Sequence, residues 1–371
     1  MTSSNTNSIY TKMKKPKVLL IQEVLQRYRA PIYKLMNKEV DLDLAYTEKS
    51  DIDDPNLKVF RLPHFKLWKF NVHTGIYKIF NKYDVVIMQP HLNCLTLNFV
   101  PFLPHKRFRL ITWTIGKYVT YNIPYDLESK PTFKDKVFEN IQDAADACIF
   151  YMPEPIEYWK KYKNIDTNKY FVAHNTVEVA EYDELPKYSE RNSFLFVGTL
   201  YRQKGIDELI EAYDIAKKKN KELPKLNIVG KGAEEQVIRE QINKLHLEND
   251  IVLCGAVYDE SILKDYFLDA KLCISPKQAG LSVPKSLGYG CPFITRPDAI
   301  TGGERNNIID GYNGVYYNTT EELANILVAS VEQNEKYGII AKNARKYYKE
   351  CNSPQKMANG ALEAIRYVLK K

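Results

Sequence analysis

Short continuous apolar runs alternate along this chain with stretches in which apolar residues recur at helical spacing. The first pattern belongs to strands buried on both faces of a parallel sheet, the second to helices with one apolar stripe. Strands are predicted over 17–22, 42–46, 57–62, 84–91, 108–113, 147–151 and 170–175. Helices are predicted to open at Gln26 and to span 73–81, 133–145 and 154–163. Pro31 suits the first of them, because the opening turn of a helix tolerates proline. Residues 178–193 are polar, contain Pro186, show no apolar periodicity and read as a linker. The alternation then restarts, with strands over 193–198, 226–230, 251–255 and 271–275 and from Phe293. Helices are predicted over 205–219, 233–245, 259–268, 283–289, 321–333, 339–350 and 353–369. Repeated strand–helix alternation of this kind predicts an α/β fold with doubly wound domains.

Length agrees, since 371 residues exceed what one core usually holds. Lys and Arg number 53 against 46 Asp and Glu, a net charge of +7. That excess is too mild and too evenly spread for a nucleic-acid footprint, but suits a phosphorylated ligand or an anionic membrane surface. None of the six cysteines forms a CxxC or a His/Cys ligand spacing on this reading, so no metal site is expected. Three of them sit in apolar runs, as buried free thiols do, which fits a reducing cytosol. The first residues are polar and predict a disordered tail without a signal peptide, and no apolar run approaches the ~18 residues of a membrane span.

The most informative stretch is Ser275 to Thr295. An apolar strand runs into a loop with Pro276 and Gly280, followed by a short helix that Gly290 and Pro292 stop. Loops between the C-terminal end of a strand and the N-terminus of a helix are where open α/β sheets bind ligands, and the free N–H groups there favour phosphate.

Five motifs of the second half stand in order: Val197 to Gly205, Ile228 to Gly232, Cys254 to Val257, Gly280 to Pro292 and Ile309 to Gly314. Together they resemble the C-terminal domain of family 4 glycosyltransferases of the GT-B fold. The first half is similar to the same family through its opening strand, Arg27-Tyr-Arg-Ala-Pro and Phe171-Val-Ala-His-Asn. The resemblance implies two Rossmann-like domains facing across a cleft. They would follow a tail over 1–14, with an acceptor-side domain over 15–182 and a nucleotide-sugar domain over 183–338. Helices over 339–371 would cross back to the first domain.

The resemblance also implies a retaining, metal-independent glycosyltransferase. It would move a sugar from a nucleotide-diphosphate sugar to a glycan or lipid-linked acceptor in surface polysaccharide biosynthesis, with no cofactor. It places the protein in the cytoplasm, with peripheral contact to the inner membrane face. Lys204 and Arg202 would neutralise the leaving diphosphate, and His91 is the first-domain catalytic candidate. Donor contacts would come from Gly198, Thr199, Lys204, Gly230, Val257, Lys277, Gly280, Leu281, Ser282, Lys285 and Glu304. Acceptor contacts would come from Arg27, Arg29, His91 and Lys117. Thr199 stands where the family usually has Arg, and Lys277 and Lys285 stand where it has a pair of Glu. A lysine has only donors and a positive charge, so this swap would turn the loop from reading diols toward binding anions. These departures leave two other readings open: a nucleotide-sugar-binding protein that has lost transfer, and a nucleotide-sugar epimerase. The mixture of aromatics and cations over Phe65 to Phe70 and Phe99 to Arg107 suits a membrane interface.

Overall fold

A computed structural model describes residues 14–118 and 125–371. The tail expected over 1–14 lies almost wholly outside them. The first half builds β1 (Lys17–Leu25), α1 (Ala30–Asn37), β2 (Asp41–Ser50), β3 (Lys58–Arg61), β4 (His64–Leu67), β5 (Phe70–His73), α2 (Ile76–Phe80), β6 (Val85–Met88) and α3 (Leu95–Phe99). It continues through β7 (Arg109–Thr114), α4 (Phe133–Asp143), β8 (Ala147–Phe150), α5 (Glu154–Lys160) and β9 (Tyr170–Val172). Seven of these strands form one parallel sheet in the order β3-β2-β1-β6-β7-β8-β9. The order reverses beside β1, which places the ligand-binding crevice at the C-terminal ends of β1 and β6.

Alternation along β1 shows why both faces need covering. Val18 and Leu20 enter one core layer with α1, while Leu19 and Ile21 enter the other with α2 and α3. The β1–β2 register slips between Gln22 and Val24, so Glu23 sits in a bulge at the end of the strand. The aromatic, basic segment predicted to precede a helix folds instead into the antiparallel hairpin β4–β5, and the helix expected over 73–81 is confined to α2. Apolar alternation does not mark this small ribbon because β4 stays largely exposed and the residues that β5 buries, Asn71 and His73, are polar.

The second half builds β10 (Ser193–Val197), α6 (Ile206–Lys219), β11 (Lys225–Val229), α7 (Glu235–Lys244), β12 (Ile251–Gly255), α8 (Glu260–Asp269) and β13 (Ala270–Ile274). There follow α9 (Ser282–Gly288), β14 (Phe293–Thr295), β15 (Gly314–Tyr316), α10 (Thr320–Glu332), α11 (Asn334–Tyr347) and α12 (Pro354–Leu369). The six-stranded parallel sheet runs β12-β11-β10-β13-β14-β15. Phe194 and Phe196 of β10 pack toward α6 and α10, whereas Leu195 faces the layer of α8 and α9.

The polar connection between the domains is more woven in than its composition suggests. Arg191 is fully buried, and its guanidinium donates to the carbonyls of Ala270 and Gly290 at 3.0 and 2.9 Å. Tyr182 and Tyr289 add further bonds across it, to Gly288 O and from Ala180 N–H. A π-turn over 348–352 separates α11 from α12, and α12 lays Met357, Ala361, Leu362 and Ile365 into the first domain's core. Gly360 permits that contact: a Cβ there would lie 2.1 Å from the carbonyl oxygen of Val172. The obstacle is backbone, so Gly360→Ala is expected to destabilise the protein by about 1–3 kcal/mol despite alanine's better helix propensity. Urea denaturation of the variant against the parent measures this.

Candidate active site

The C-terminal ends of the two sheets enclose a cleft of about 790 Å3. Its second-domain wall comes from the turn after β10, the loop before α9 and the segment 300–304; Tyr28 and Asn175 close it from the other side. Glycines make this packing possible. Gly205 has φ +70°, and a Cβ there would meet the Lys277 side chain at 2.8 Å. Its left-handed conformation ends the single 3-10 turn Arg202–Lys204 and lets α6 start beside the loop after β13. A Cβ on Gly230 would lie 1.9 Å from Gly198 O, so Gly230 supports the glycine turn from below and does not line the cleft.

Lys204 is the chemical centre of this wall. It is only 9% exposed, and its ammonium lies 5.6 Å from the centre of the Tyr201 ring. Among the described residues no carboxylate comes within ion-pair distance of it. Burial lowers its pKa to about 8, although the Glu304 carboxylate pulls the other way. A cation so placed, with its charge directed at open space, is a receptor for an anion. The N–H groups of Gly198 and Leu200 in the glycine turn beside it are spent on the carbonyls of Val229 and Lys231, both at 3.0 Å, so the ammonium carries that polarity.

Glu304 faces the same space and is itself held firmly. It is 6% exposed, and its carboxylate accepts from Asn175 Nδ2 at 2.5 Å, Gly302 N–H at 3.0 Å and Thr301 Oγ1 at 3.3 Å. The carbonyl of Asn175 in turn accepts from Asn352 Nδ2 at 3.0 Å. Glu304 is thereby tied to the interdomain segment and, through it, to the π-turn before α12. Gly198, Thr199, Gly280, Leu281 and Ser282 also line the cleft. The Ser282 hydroxyl is buried without a partner.

The two lysines expected to make the loop an anion receptor are both engaged elsewhere. Gln278 and Ile300 form an isolated bridge, so successive residues point to opposite faces. Gln278 enters the cleft, where it accepts from the Tyr201 hydroxyl, while Lys277 turns outward into a separate hollow. There it lies 3.6 Å from Glu208 and 3.9 Å from Asp207. Lys285 does line the cleft, but its ammonium is paired with Glu260 at 2.5 Å. Glu260 also accepts from the Tyr289 hydroxyl at 2.7 Å. A neutralised pair, not a free cation, occupies that corner, and a carboxylate from α8 restores the acceptor capacity that a lysine lacks.

Other sequence candidates fall outside the cleft. Arg202 is exposed on the outer side of its turn, and Val257 stands beyond the lining. Arg27 is exposed. Arg29 is buried between the rings of Tyr28 and Tyr151, at 5.3 and 5.0 Å, and donates toward Met357 Sδ of α12. It clamps the closing helix and has no face for a phosphate. His91 and Lys117 line a smaller pocket of about 300 Å3 in the first domain. Lys117 is committed there to Asp126 O at 2.5 Å and Ser129 Oγ at 3.0 Å. His174, half-buried just beyond β9, has its pKa lowered by desolvation.

Tyr28, Asn175, Tyr201, Gln278 and Glu260 went unassigned in the sequence. Tyr28, Asn175 and Tyr201 carried a signal as members of the motifs Arg27-Tyr-Arg-Ala-Pro, Phe171-Val-Ala-His-Asn and Val197 to Gly205, and Gln278 lies in the stretch Ser275 to Thr295; Glu260 carried none.

Comparison with known proteins matches this geometry. Residues 180–347 match the family of glycosyl transferases group 1. The second domain is therefore a group 1 glycosyltransferase domain, and the chain as a whole has the GT-B fold. An uncharacterised glycosyltransferase of Methanocaldococcus jannaschii is 27% identical over 242 residues, 64% of this chain and 57% of that protein. The poly(glycerol-phosphate) alpha-glucosyltransferase of Bacillus subtilis is 25% identical over 222 residues, 58% of this chain and 32% of that protein. The matches thus span from about a third to just over half of these relatives' lengths. Among solved structures, Anabaena HepE in complex with UDP superposes with a TM-score of 0.70 at 15% identity, over 94% of this chain and 99% of that one.

The depressed pKa of Lys204 has a consequence for the ligand-free protein. Its folded value, about 8, lies below its ordinary value of 10.5, so between the two the unfolded chain binds more protons. Stability should rise as pH climbs through that window, and below it the fold bears the cost of a desolvated cation. Lys204→Met should raise ligand-free stability at pH 7 by about 1–3 kcal/mol and flatten the rise above pH 8. Chemical denaturation at several pH values tests both.

Proposed function

We propose that this protein transfers a sugar from a nucleotide-diphosphate sugar to a glycan or lipid-linked acceptor, with retention and without a divalent metal. The observation that carries the reading is Lys204, an uncompensated cation in the cleft at a glycine turn and the start of a helix. In the transfer, the bond from the anomeric carbon to the diphosphate oxygen breaks and a bond to the acceptor hydroxyl forms on the same face. The hydroxyl proton passes to the departing diphosphate. Charge builds on that diphosphate as the bond stretches, and a fixed cation in a site of low polarity stabilises it more than water does. Glu304, held by Asn175, faces the sugar and accepts from its hydroxyls. Surface polysaccharide or glycolipid synthesis is the setting favoured by the names of the relatives, which include an alpha-monoglucosyldiacylglycerol synthase of Acholeplasma laidlawii, 26% identical over 155 residues.

Lys204→Ala should fold and lose about 100-fold or more in turnover, measured by product formation from a panel of nucleotide sugars with no added divalent cation. Near-parental turnover would remove Lys204 from the reaction. Release of an isomerised donor without acceptor would indicate an epimerase instead. A thermal shift with nucleotide diphosphates but no turnover on any donor would indicate a binding protein.

The acceptor side adds a membrane-facing surface. Trp68 at the hairpin tip is 83% exposed, and Phe65, Leu67, Phe99 and Phe102 are exposed in the same part of the chain. From Arg61 through Tyr118 the chain has nine Lys and Arg, Arg61 included, and one acidic residue, Asp84. No described helix is long and apolar enough to cross a membrane. This composition supports peripheral docking on the anionic inner leaflet, from the cytoplasmic side. Vesicles of phosphatidylglycerol should pull down the parent protein and those of phosphatidylcholine should not. Trp68→Ser should weaken the binding several-fold, and equal recovery on both lipids would count against it.

A further inference from the structure

The C-terminal end of the first sheet carries a second cluster that the transfer reaction does not use. Glu23, His91 and Cys94 bring one carboxylate oxygen, one ring nitrogen and one sulfur within 4.8 Å of one another. His91 Nε2 and Glu23 Oε2 are 3.2 Å apart. We propose that these three side chains bind a zinc ion that fastens the end of β1 to the loop after β6 and to the start of α3.

Three independent features of the backbone create this juxtaposition. The β-bulge at Glu23 interrupts the β1–β2 register at the strand's last turn toward the crevice. His91 and Cys94 are the ends of a tight turn, closed by Cys94 N–H donating to His91 O at 2.9 Å, which brings the two residues together. The carbonyl of His91 also accepts from Asn98 Nδ2 at 3.0 Å, so the turn is anchored to α3. The backbone on the far side is pinned too: Asn71 N–H of β5 donates to Asn93 O at 2.6 Å, and Asn71 bridges to Cys94. None of these bonds uses a proposed ligand atom.

The donor set selects the ion. Thiolate, imidazole and carboxylate together suit zinc, whereas magnesium and calcium prefer oxygen alone. Zinc bonds of about 2.0–2.3 Å set tetrahedral ligand atoms roughly 3.3–3.7 Å apart, so the cluster must close by about 1 Å. One carboxylate and one thiolate balance the ion's two charges, and binding releases the thiol proton to solvent. Cys94, 2% exposed, lies within hydrogen-bonding reach of the Thr47 and Asn71 side chains, which support its sulfur from behind as outer-shell groups do at zinc sites. Asn93 N–H donates to His91 Nδ1 at a long 3.4 Å, and zinc at Nε2 would displace this weak bond by moving the ring proton to Nδ1. Glu23 and His91 are partly exposed, and His91 lines the pocket of about 300 Å3. The fourth zinc position opens there, to water. The sequence held a trace of this site in His91-Leu-Asn-Cys94, a His/Cys spacing that the reading of the cysteines did not count, so its expectation of no metal site is at odds with this proposal.

The test is a titration of the metal-free full-length protein with cobalt(II) and zinc(II), in a Cys351→Ser background that removes the exposed thiol. One equivalent of cobalt should give a thiolate-to-metal charge-transfer band and tetrahedral d–d absorption, which zinc abolishes. Zinc, but not magnesium, should raise the melting temperature. Cys94→Ser should lose the band and weaken zinc binding at least tenfold, and Glu23→Gln and Thr47→Val should weaken it with the band retained. Absence of the charge-transfer band in the Cys351→Ser protein overturns the proposal, whether or not the Cys94 variant folds. So does unchanged zinc affinity in a folded Cys94→Ser variant.

Discussion

A lysine ammonium held largely out of water with no carboxylate beside it is the constraint around which the second domain is arranged. Burying such a charge is unfavourable, and the pKa of Lys204 records the strain. The surroundings keep it in place by packing. Gly205 in its left-handed conformation ends the turn, Lys277 N–H donates to Lys204 O at 3.2 Å, and Gly230 lets the Gly198 turn settle beneath it. Two loops distant in sequence are thus locked to one another by backbone bonds, and the single charge they present is left for a ligand to satisfy.

The other charges near the cleft are arranged by the opposite rule. Lys285 is matched by Glu260, Lys277 by Glu208 and Asp207, and Arg296 by Glu208 at 3.0 Å. Glu304 is satisfied by three donors. The paired groups are therefore nearly neutral toward an incoming ligand, whereas Lys204 and Glu304, whose three donors are uncharged, keep their charges. A diphosphate entering the cleft is attracted to one point, and the remaining polar groups orient what is attached to it. The Glu304–Asn175–Asn352 chain ties that orientation to the segment joining the domains, so the cleft and the closing helix α12 share a hydrogen-bond network.

The first domain carries a different arrangement at the matching end of its sheet. Its strand ends hold Glu23, His91 and Cys94 instead of a free cation, and its rim is basic and aromatic. Such a division of labour follows from the facing sheets, since each contributes its C-terminal edge to the same opening while its loops vary independently.

Much of the architecture was legible from local pattern. Continuous apolar runs marked the parallel strands, because residues such as Val18 to Ile21 must satisfy packing on both faces at once. Lys204 and the Gly198 turn were readable for a similar reason: a strand, a glycine and a helix start follow one another directly in the chain. The hairpin β4–β5 was not, since β4 is largely exposed and the face that β5 buries is made of polar residues, Asn71 and His73. Nor could local pattern show which way Lys277 and Lys285 point. That depends on Ile300 pairing beside Gln278 and on Glu260 arriving from α8, contacts across 22 and 25 residues. Arg29 looked like a surface cation until α12, more than 300 residues later, covered it. The amino-acid sequence by itself determined the two sheets, the glycine turn and the place of Lys204 at its end, because those depend on neighbours along the chain. Only the tertiary structure decided which charges remain unpaired, because a partner's position is set by packing between segments far apart in sequence.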